Sequence, residues 1–410
     1  MQERKQQGAP LCERAAGEFW AAEMSRRQFL RAGLTLVAVG LAAPPWLAHI
    51  AHADAQRLRK GEQLPNDHIL VVLQLTGGND GLNAVVPFDD DHYARPRPTL
   101  RLSAAQVRKI APSTGLHSEM PGFERLFKEG RLAIVQAVGY PKMHRDHGAA
   151  MRSWQTANPA PSGEETGWLG RAADQAWNPA EGNVPAAFVG TIGQPLTLRA
   201  RRTVVPSLRD PKDWTLTAEV SGPSPAWAAA RRVSTVLHRG TASPYPSCSL
   251  AQSLRNVAQF IRADLGVSVY LVEHGGPPPG GYDNHANQAG HHAVLLRELS
   301  ESVAAFCSDL ASDGWLDRVV LMTYSEFGRT VSENGRRGTN HGAAAPVFVA
   351  GGRVKGGLHG APPDLSKLEG DAPVALIDFR SLYATVLEKW LGLPAEPVLG
   401  QRFELLDLLA

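Results

Sequence analysis

Five short apolar runs recur along the chain: Ile69 to Leu75, Leu132 to Val138, Val267 to Val272, Val319 to Thr323 and Pro346 to Ala350. Each is rich in Val, Ile or Leu and gives way at once to Gly or a polar cluster. That pattern predicts strands covered on both faces. Between the third and fourth runs the period changes. Ala289, Ala293, Leu296, Leu299, Val303, Phe306 and Leu310 recur every three or four residues, and Asp313-Gly314 closes the series, which predicts a helix. A second helix is predicted from about Asp378 to Leu391, ahead of Gly392 and Pro394. Strands alternating with helices predict an α/β fold with a mostly parallel central sheet flanked by helices on both faces. The segment from about Thr197 to Pro246 breaks the pattern with its prolines, Trp214 and Trp227, and is predicted to be an insertion or cap. Gly275-Gly276-Pro277-Pro278-Pro279-Gly280-Gly281 must be a loop.

The N-terminal apolar run is of another kind. Ser25-Arg26-Arg27-Gln28-Phe29-Leu30 leads into the stretch Ala32 to Ala43, and Ala51-His52-Ala53 offers a small-x-small cleavage site. This is the pattern of a twin-arginine export signal, which predicts a partner in the twin-arginine translocation machinery and a periplasmic or secreted mature protein. The run is broken by Pro44-Pro45 and falls short of the roughly 20 apolar residues of a spanning helix. No permanent membrane span is expected. Residues 1–53 are therefore assigned to an N-terminal extension and signal, and 54–410 to one α/β domain; Met24 is a second candidate start.

Composition narrows the class. An apolar fraction of 43% and a charged fraction of 20% are those of a globular protein. With net charge +2 and only the isolated pairs Arg201-Arg202 and Arg336-Arg337 beyond the signal, nucleic acid is not an expected partner. Cys12 would leave with the signal. Cys248 and Cys307 remain, able to form one disulfide, although Cys307 borders the apolar stripe of the predicted helix and reads better as a buried thiol.

In open α/β sheets ligands gather where loops leave the carboxyl ends of strands. Four polar clusters have that placement. Thr76-Gly77-Gly78-Asn79-Asp80 follows the first strand; its glycines permit close backbone approach and Asp80 offers a carboxylate, although a plain Asx turn explains it equally well. Asp283 and His285, two apart in one loop, can both face one cation. Glu326 follows the strand at Val319, with Arg329 able either to hold an anionic group or to pair with Glu326. His341 precedes the last central strand. The order Asp, Asp-x-His, Glu, His predicts a divalent metal site of mixed oxygen and nitrogen donors, suited to Zn, Mn or Fe better than to Ca.

The segments LQLTGGNDGLNAVVP, RLAIVQAVGYP, TGWLGR, YDNHANQ, TYSEFGRT and GTNHGAAAPVFVAGG closely resemble a bacterial family known as domain of unknown function 1501, grouped with the alkaline phosphatase and sulfatase superfamily. The resemblance implies an alkaline phosphatase-like fold with metal at the carboxyl ends of strands. It implies Asp80 as the first metal carboxylate, Asp283 and His285 as the ligand pair, Glu326 at the Asp-His element and His341 as the last histidine. Two departures stand out: Asn340 replaces the aspartate usual before the last histidine, and no Ser, Thr or Cys follows Asp80 where a nucleophile is expected. Thr76 and Ser103 are merely available hydroxyls. His147, in a region the family shares, is a candidate further ligand or acid-base group, or else a packing histidine.

The function this predicts is exported, metal-dependent hydrolysis of a phosphate or sulfate ester, with a small anionic ester or a glycan as substrate. The alternative is a non-catalytic binding or assembly protein on a retained enzyme scaffold.

Overall fold

The computed structural model describes residues 68–160, 163–176, 184–190, 193–208, 244–264, 266–276 and 280–410. The predicted signal, its cleavage site, Met24, Cys12, Pro277 to Pro279 and positions 209–243 of the predicted cap lie outside the described residues.

The first apolar run forms β1 (Ile69–Leu75), buried at every position. Its residues divide by alternation. Ile69, Val71, Leu73 and Leu75 join one hydrophobic cluster, whereas Leu70 and Val72 join another on the opposite face. Over the first face lie α1 (Pro121–Lys128), α4 (Ser249–Arg262) and α5 (Gln288–Ser312), through residues such as Phe123, Leu254, Leu299 and Phe306. Over the second lie α2 (His147–Thr156), α3 (Trp168–Ala176) and α6 (Phe379–Thr385), where Trp168 stacks on Tyr383 at 4.0 Å. The fold is thus α/β, a sheet between two helical layers.

The other strands are β2 (Leu132–Gly139), β3 (Ala186–Val189), β4 (Ser207–Leu208), β5 (Val269–His274), β6 (Val319–Ser325), β7 (Arg329–Glu333), β8 (Thr339–His341), β9 (Ala345–Gly351), β10 (Gly357–His359) and β11 (Ile377–Asp378). The central sheet has nine strands in the order β10-β2-β9-β6-β1-β5-β3-β4, with β11 also pairing β2. All its pairings are parallel except those of β9, which runs antiparallel to both β2 and β6. The sheet is mostly parallel, as the strand–helix alternation predicts, and one antiparallel strand makes it mixed. Its exception follows from connectivity: β6 reaches β9 through the β7–β8 hairpin with no crossover helix, and a chain that turns straight back must return antiparallel. Within the predicted insertion, Leu196–Leu198 forms a 3₁₀ turn and β4 extends the sheet beside β3.

The predicted long helix closes where expected, with Asp313 as its C-cap. The second predicted helix divides into α6 and a π-helical turn, Val386–Trp390. Cys248 and Cys307 are both free thiols; Cys307 is on the buried face of α5, and burial pushes its pKa up to about 12. Among the described residues no helix is long and apolar enough to cross a membrane.

Candidate metal centre

Register brings the chemistry together. Leu75 of β1 lies level with His274 of β5 and with Ser325 of β6. The loops carrying Gly77 to Asp80, Asp283 and His285, and Glu326 therefore leave the sheet at one edge. The β7–β8 hairpin brings His341 over that edge by pairing it with Arg329. The segment after β2 adds His147, the first residue of α2, whose N-cap Asp146 accepts the Ala149 amide at 3.0 Å.

At Gly77 the close approach is extreme. Its φ is +116°, and a methyl there would lie 2.5 Å from the Asp283 amide nitrogen and 2.8 Å from that of Tyr282. Only glycine lets the first loop lie flat against the loop that carries Asp283 and His285.

Four side chains converge. Asp283 Oδ1 lies 2.9 Å from His285 Nε2 and 3.2 Å from His341 Nε2, and those two nitrogens are 2.9 Å apart. His147 Nε2 lies 3.4 Å from Asp283 Oδ2. The donor atoms of His147, Asp283 and His341 all fall within 4.8 Å of one another. Such separations are close to the roughly 3.3 Å expected between neighbouring ligands of a tetrahedral ion with ~2.0 Å bonds.

A second layer fixes the imidazoles. His147 Nδ1 shares a hydrogen bond of 2.9 Å with Glu326 Oε1, and His341 Nδ1 donates to the Arg145 carbonyl at 2.7 Å. Each bond turns the ring so that its Nε2 faces Asp283, the arrangement that orients histidines on a metal. His147 Nε2 is buried and has no hydrogen-bond partner among the described residues. A buried, unsatisfied donor aimed into a His/Asp cluster fits a divalent cation. The bond to Glu326 pushes the His147 pKa up, against its partial burial. Burial pushes His285 down. Burial alone would raise Asp283, but the hydrogen bond and charge of Arg329 outweigh it and hold the carboxyl below its ordinary range.

Of the residues read from sequence, the structure brings Asp283, His285 and His341 together with His147. It places three others differently. Glu326 is not among the facing donors: its Oε1 takes the Gly77 amide at 2.8 Å as well as His147. Arg329 is not at the surface of the site to meet an anionic group. It is 2% exposed and donates to the carbonyls of Gly78 (2.7 Å), Gly77 and Tyr282 (3.0 Å) and to Asp283 Oδ1 (2.8 Å). Asp80 stands apart, in a buried ion pair with Arg97 whose contacts measure 2.8 and 3.1 Å. Burial raises the Asp80 pKa and Arg97 more than reverses it. Alternation along β8 sends Asn340 away from His341, and its Oδ1 lies 3.4 Å from the side-chain nitrogen of Asn334.

Sequence reasoning missed Arg97. Its one local signal is the setting Pro96-Arg97-Pro98, which says nothing about its partner.

Residues 237–402 match the family model described as "Protein of unknown function (DUF1501)". No curated protein matches the chain. Among solved structures it is similar to a protein in the alkaline phosphatase superfamily from Vibrio parahaemolyticus, at 10% identity over 90% of this chain and 80% of that one, TM-score 0.42. It is also similar to the lipoteichoic acid synthase LtaP from Listeria monocytogenes, at 11% identity over 82% and 73%, TM-score 0.40. A third is the PsFucS1 sulfatase from Pseudoalteromonas sp., at 13% identity over 90% and 76%, TM-score 0.36.

Proposed function

We propose that this protein is an exported, metal-dependent hydrolase of a phosphate or sulfate ester. One observation carries the reading: the Nε2 atoms of His147, His285 and His341 each lie within 3.4 Å of a carboxylate oxygen of Asp283, where the loops leave the sheet. A divalent cation bound there would supply Lewis-acid polarisation of an ester oxygen and acidify an attacking water. His285 and His341 provide imidazole nitrogens, and Asp283 the one carboxylate. Glu326 holds His147 by its Nδ1, so that its Nε2 stays directed into the site. Arg329 anchors Asp283 and the Gly77-Gly78 turn from below and contacts no substrate. With no serine or threonine offered at the expected position after Asp80, attack by water is the route this reading requires. Export rests on the twin-arginine pattern at Arg26-Arg27.

The test is metal content and ester hydrolysis in Asp283→Ala and His341→Ala. Each variant should lose bound metal and at least a hundredfold of turnover, on the order of 3 kcal/mol of transition-state stabilisation. Full activity with metal retained in either would refute the reading.

A second reading, a binding or assembly protein on the same scaffold, is favoured by the commitment of Arg329 to backbone carbonyls, which removes the cation expected to hold an anionic group. Elemental analysis separates the two. Stoichiometric Zn, Mn or Fe with hydrolysis supports the enzyme, and metal-free, inert protein supports the scaffold.

A further inference from the structure

We propose that the centre takes a single divalent cation per chain, because the remaining carboxylates are already held, Asp80 by the buried Arg97 and Glu326 by the Gly77 amide and His147. The inference rests on the metal-centre reading above and concerns how many ions that centre can hold.

A second ion needs its own set of protein donors, about 3.5–4 Å from the first. The carboxylates near the centre are already committed. Both oxygens of Asp80 are taken: Oδ1 by Arg97 Nη2 at 3.1 Å, Oδ2 by Arg97 Nη1 at 2.8 Å and by Gln288 Nε2 at 2.5 Å. Arg97 cannot withdraw or neutralise. It is fully buried, it donates further to Asn83 Oδ1 (2.6 Å), Thr330 O (2.9 Å) and Val331 O (2.8 Å), and a guanidinium keeps its charge. A cation at Asp80 would leave that guanidinium buried without its counter-charge, which is strongly unfavourable.

Glu326 is closed in the same way. Oε1 accepts from Gly77 N and His147 Nδ1, and Ser325 Oγ lies 3.4 Å from Oε2. On Asp283, Arg329 holds Oδ1 at 2.8 Å. The donors left around Asp283 are His147 Nε2, His285 Nε2 and His341 Nε2, each within 3.4 Å of one of its oxygens, a set that serves one four-coordinate ion at most and is too small for two. Asp80 still matters to the centre, as a positioning residue. Gln288 bridges it to Thr339 Oγ1 at 2.7 Å, two residues before His341.

The experiment is a zinc count on the full chain. Protein stripped with a chelator is titrated with zinc chloride alone, and bound zinc is measured by calorimetry and by elemental analysis after desalting. One zinc per chain is expected. Two per chain would overturn this inference and leave the hydrolase reading standing; none would overturn both. Asp80→Asn, with its fold checked by circular dichroism, adds an independent arm. It should keep one zinc, with affinity lowered by roughly 10- to 100-fold as for other residues that position ligands without coordinating, whereas His341→Ala loses the zinc outright. Loss of zinc from folded Asp80→Asn would show that Asp80 is a ligand and end the proposal.

Discussion

Gly77 sets the distance between the two loops that build the centre. A side chain there meets the backbone of Tyr282, Asp283 and Gly280 at 2.5–2.9 Å, and those atoms belong to a turn that cannot swing aside without moving Asp283 itself. The positive φ adds backbone strain to the collision. Gly77→Ala should cost on the order of 3 kcal/mol in urea unfolding and weaken zinc binding together with stability. An unchanged unfolding midpoint would show that the loops are not packed as described. At this scale the legible residues were those inside short polar clusters beside apolar runs: Asp283, His285 and His341 were named because their loops follow or precede strands. Their neighbours in sequence misled. Glu326 and Arg329 share one cluster, yet Glu326 turns to a histidine 179 positions away and Arg329 to carbonyls of the first loop. Which partner a side chain finds is decided by tertiary register, and spacing along the chain does not encode it.

Each element does one job for the centre, and α2 shows how. Its first residue, His147, has a ring seated by Glu326, while the helix start is held by Asp146 accepting from the Ala149 amide. Unsatisfied amides at a helix start favour unwinding of its first turn, which here carries the ligand. Asp146→Ala should therefore lower stability by about 1 kcal/mol and loosen zinc binding less than His147→Ala does. Chelator competition on the two variants measures the order, and a reversed order would contradict it. The strands and the long helix could be read from sequence because β1, β2, β5, β6 and β9 are largely buried on both faces and their runs are dominated by apolar residues, with polar positions such as Gln74 and Gln136 few among them. The parallel majority followed from the strand–helix alternation, but the direction of β9 did not, since parallel and antiparallel neighbours bury the same side chains and only the short β7–β8 return makes β9 antiparallel. The Asp80–Arg97 pair escaped for a related reason. It links a strand-end loop to a proline-flanked arginine with no periodic signal of its own.

For the whole molecule, the buried histidines beneath the centre predict how stability depends on pH. His292 of α5 is fully buried, with Nε2 2.9 Å from Asn79 Oδ1 and its ring edge-on to His117 at 6.4 Å. Burial is the main cause of its low pKa, about 3; Asp80 opposes the shift, while His117, Arg97 and Arg329 add to it. His274, buried near Leu295, is likewise lowered to about 4 by burial. Between these values and the ordinary 6.5 of an unfolded histidine, the unfolded chain binds protons that the folded chain refuses. Stability is therefore complete above pH 6.5 and is lost as the pH falls toward 3, His292 alone accounting for about 2 kcal/mol at pH 5. His147 acts in the opposite sense. Its pKa is raised by Glu326, so its contribution is present at lower pH and fades as the pH climbs through the folded value. In the window from pH 7 to 5 the two deeply buried rings should dominate, and the urea midpoint of the wild-type chain should fall. His292→Gln should start lower at pH 7, having lost a fitted core group, but fall less steeply on acidification. Equal slopes in variant and wild type would mean that His292 takes up its proton inside the fold, and its burial against Asn79 would then not be what holds its pKa down.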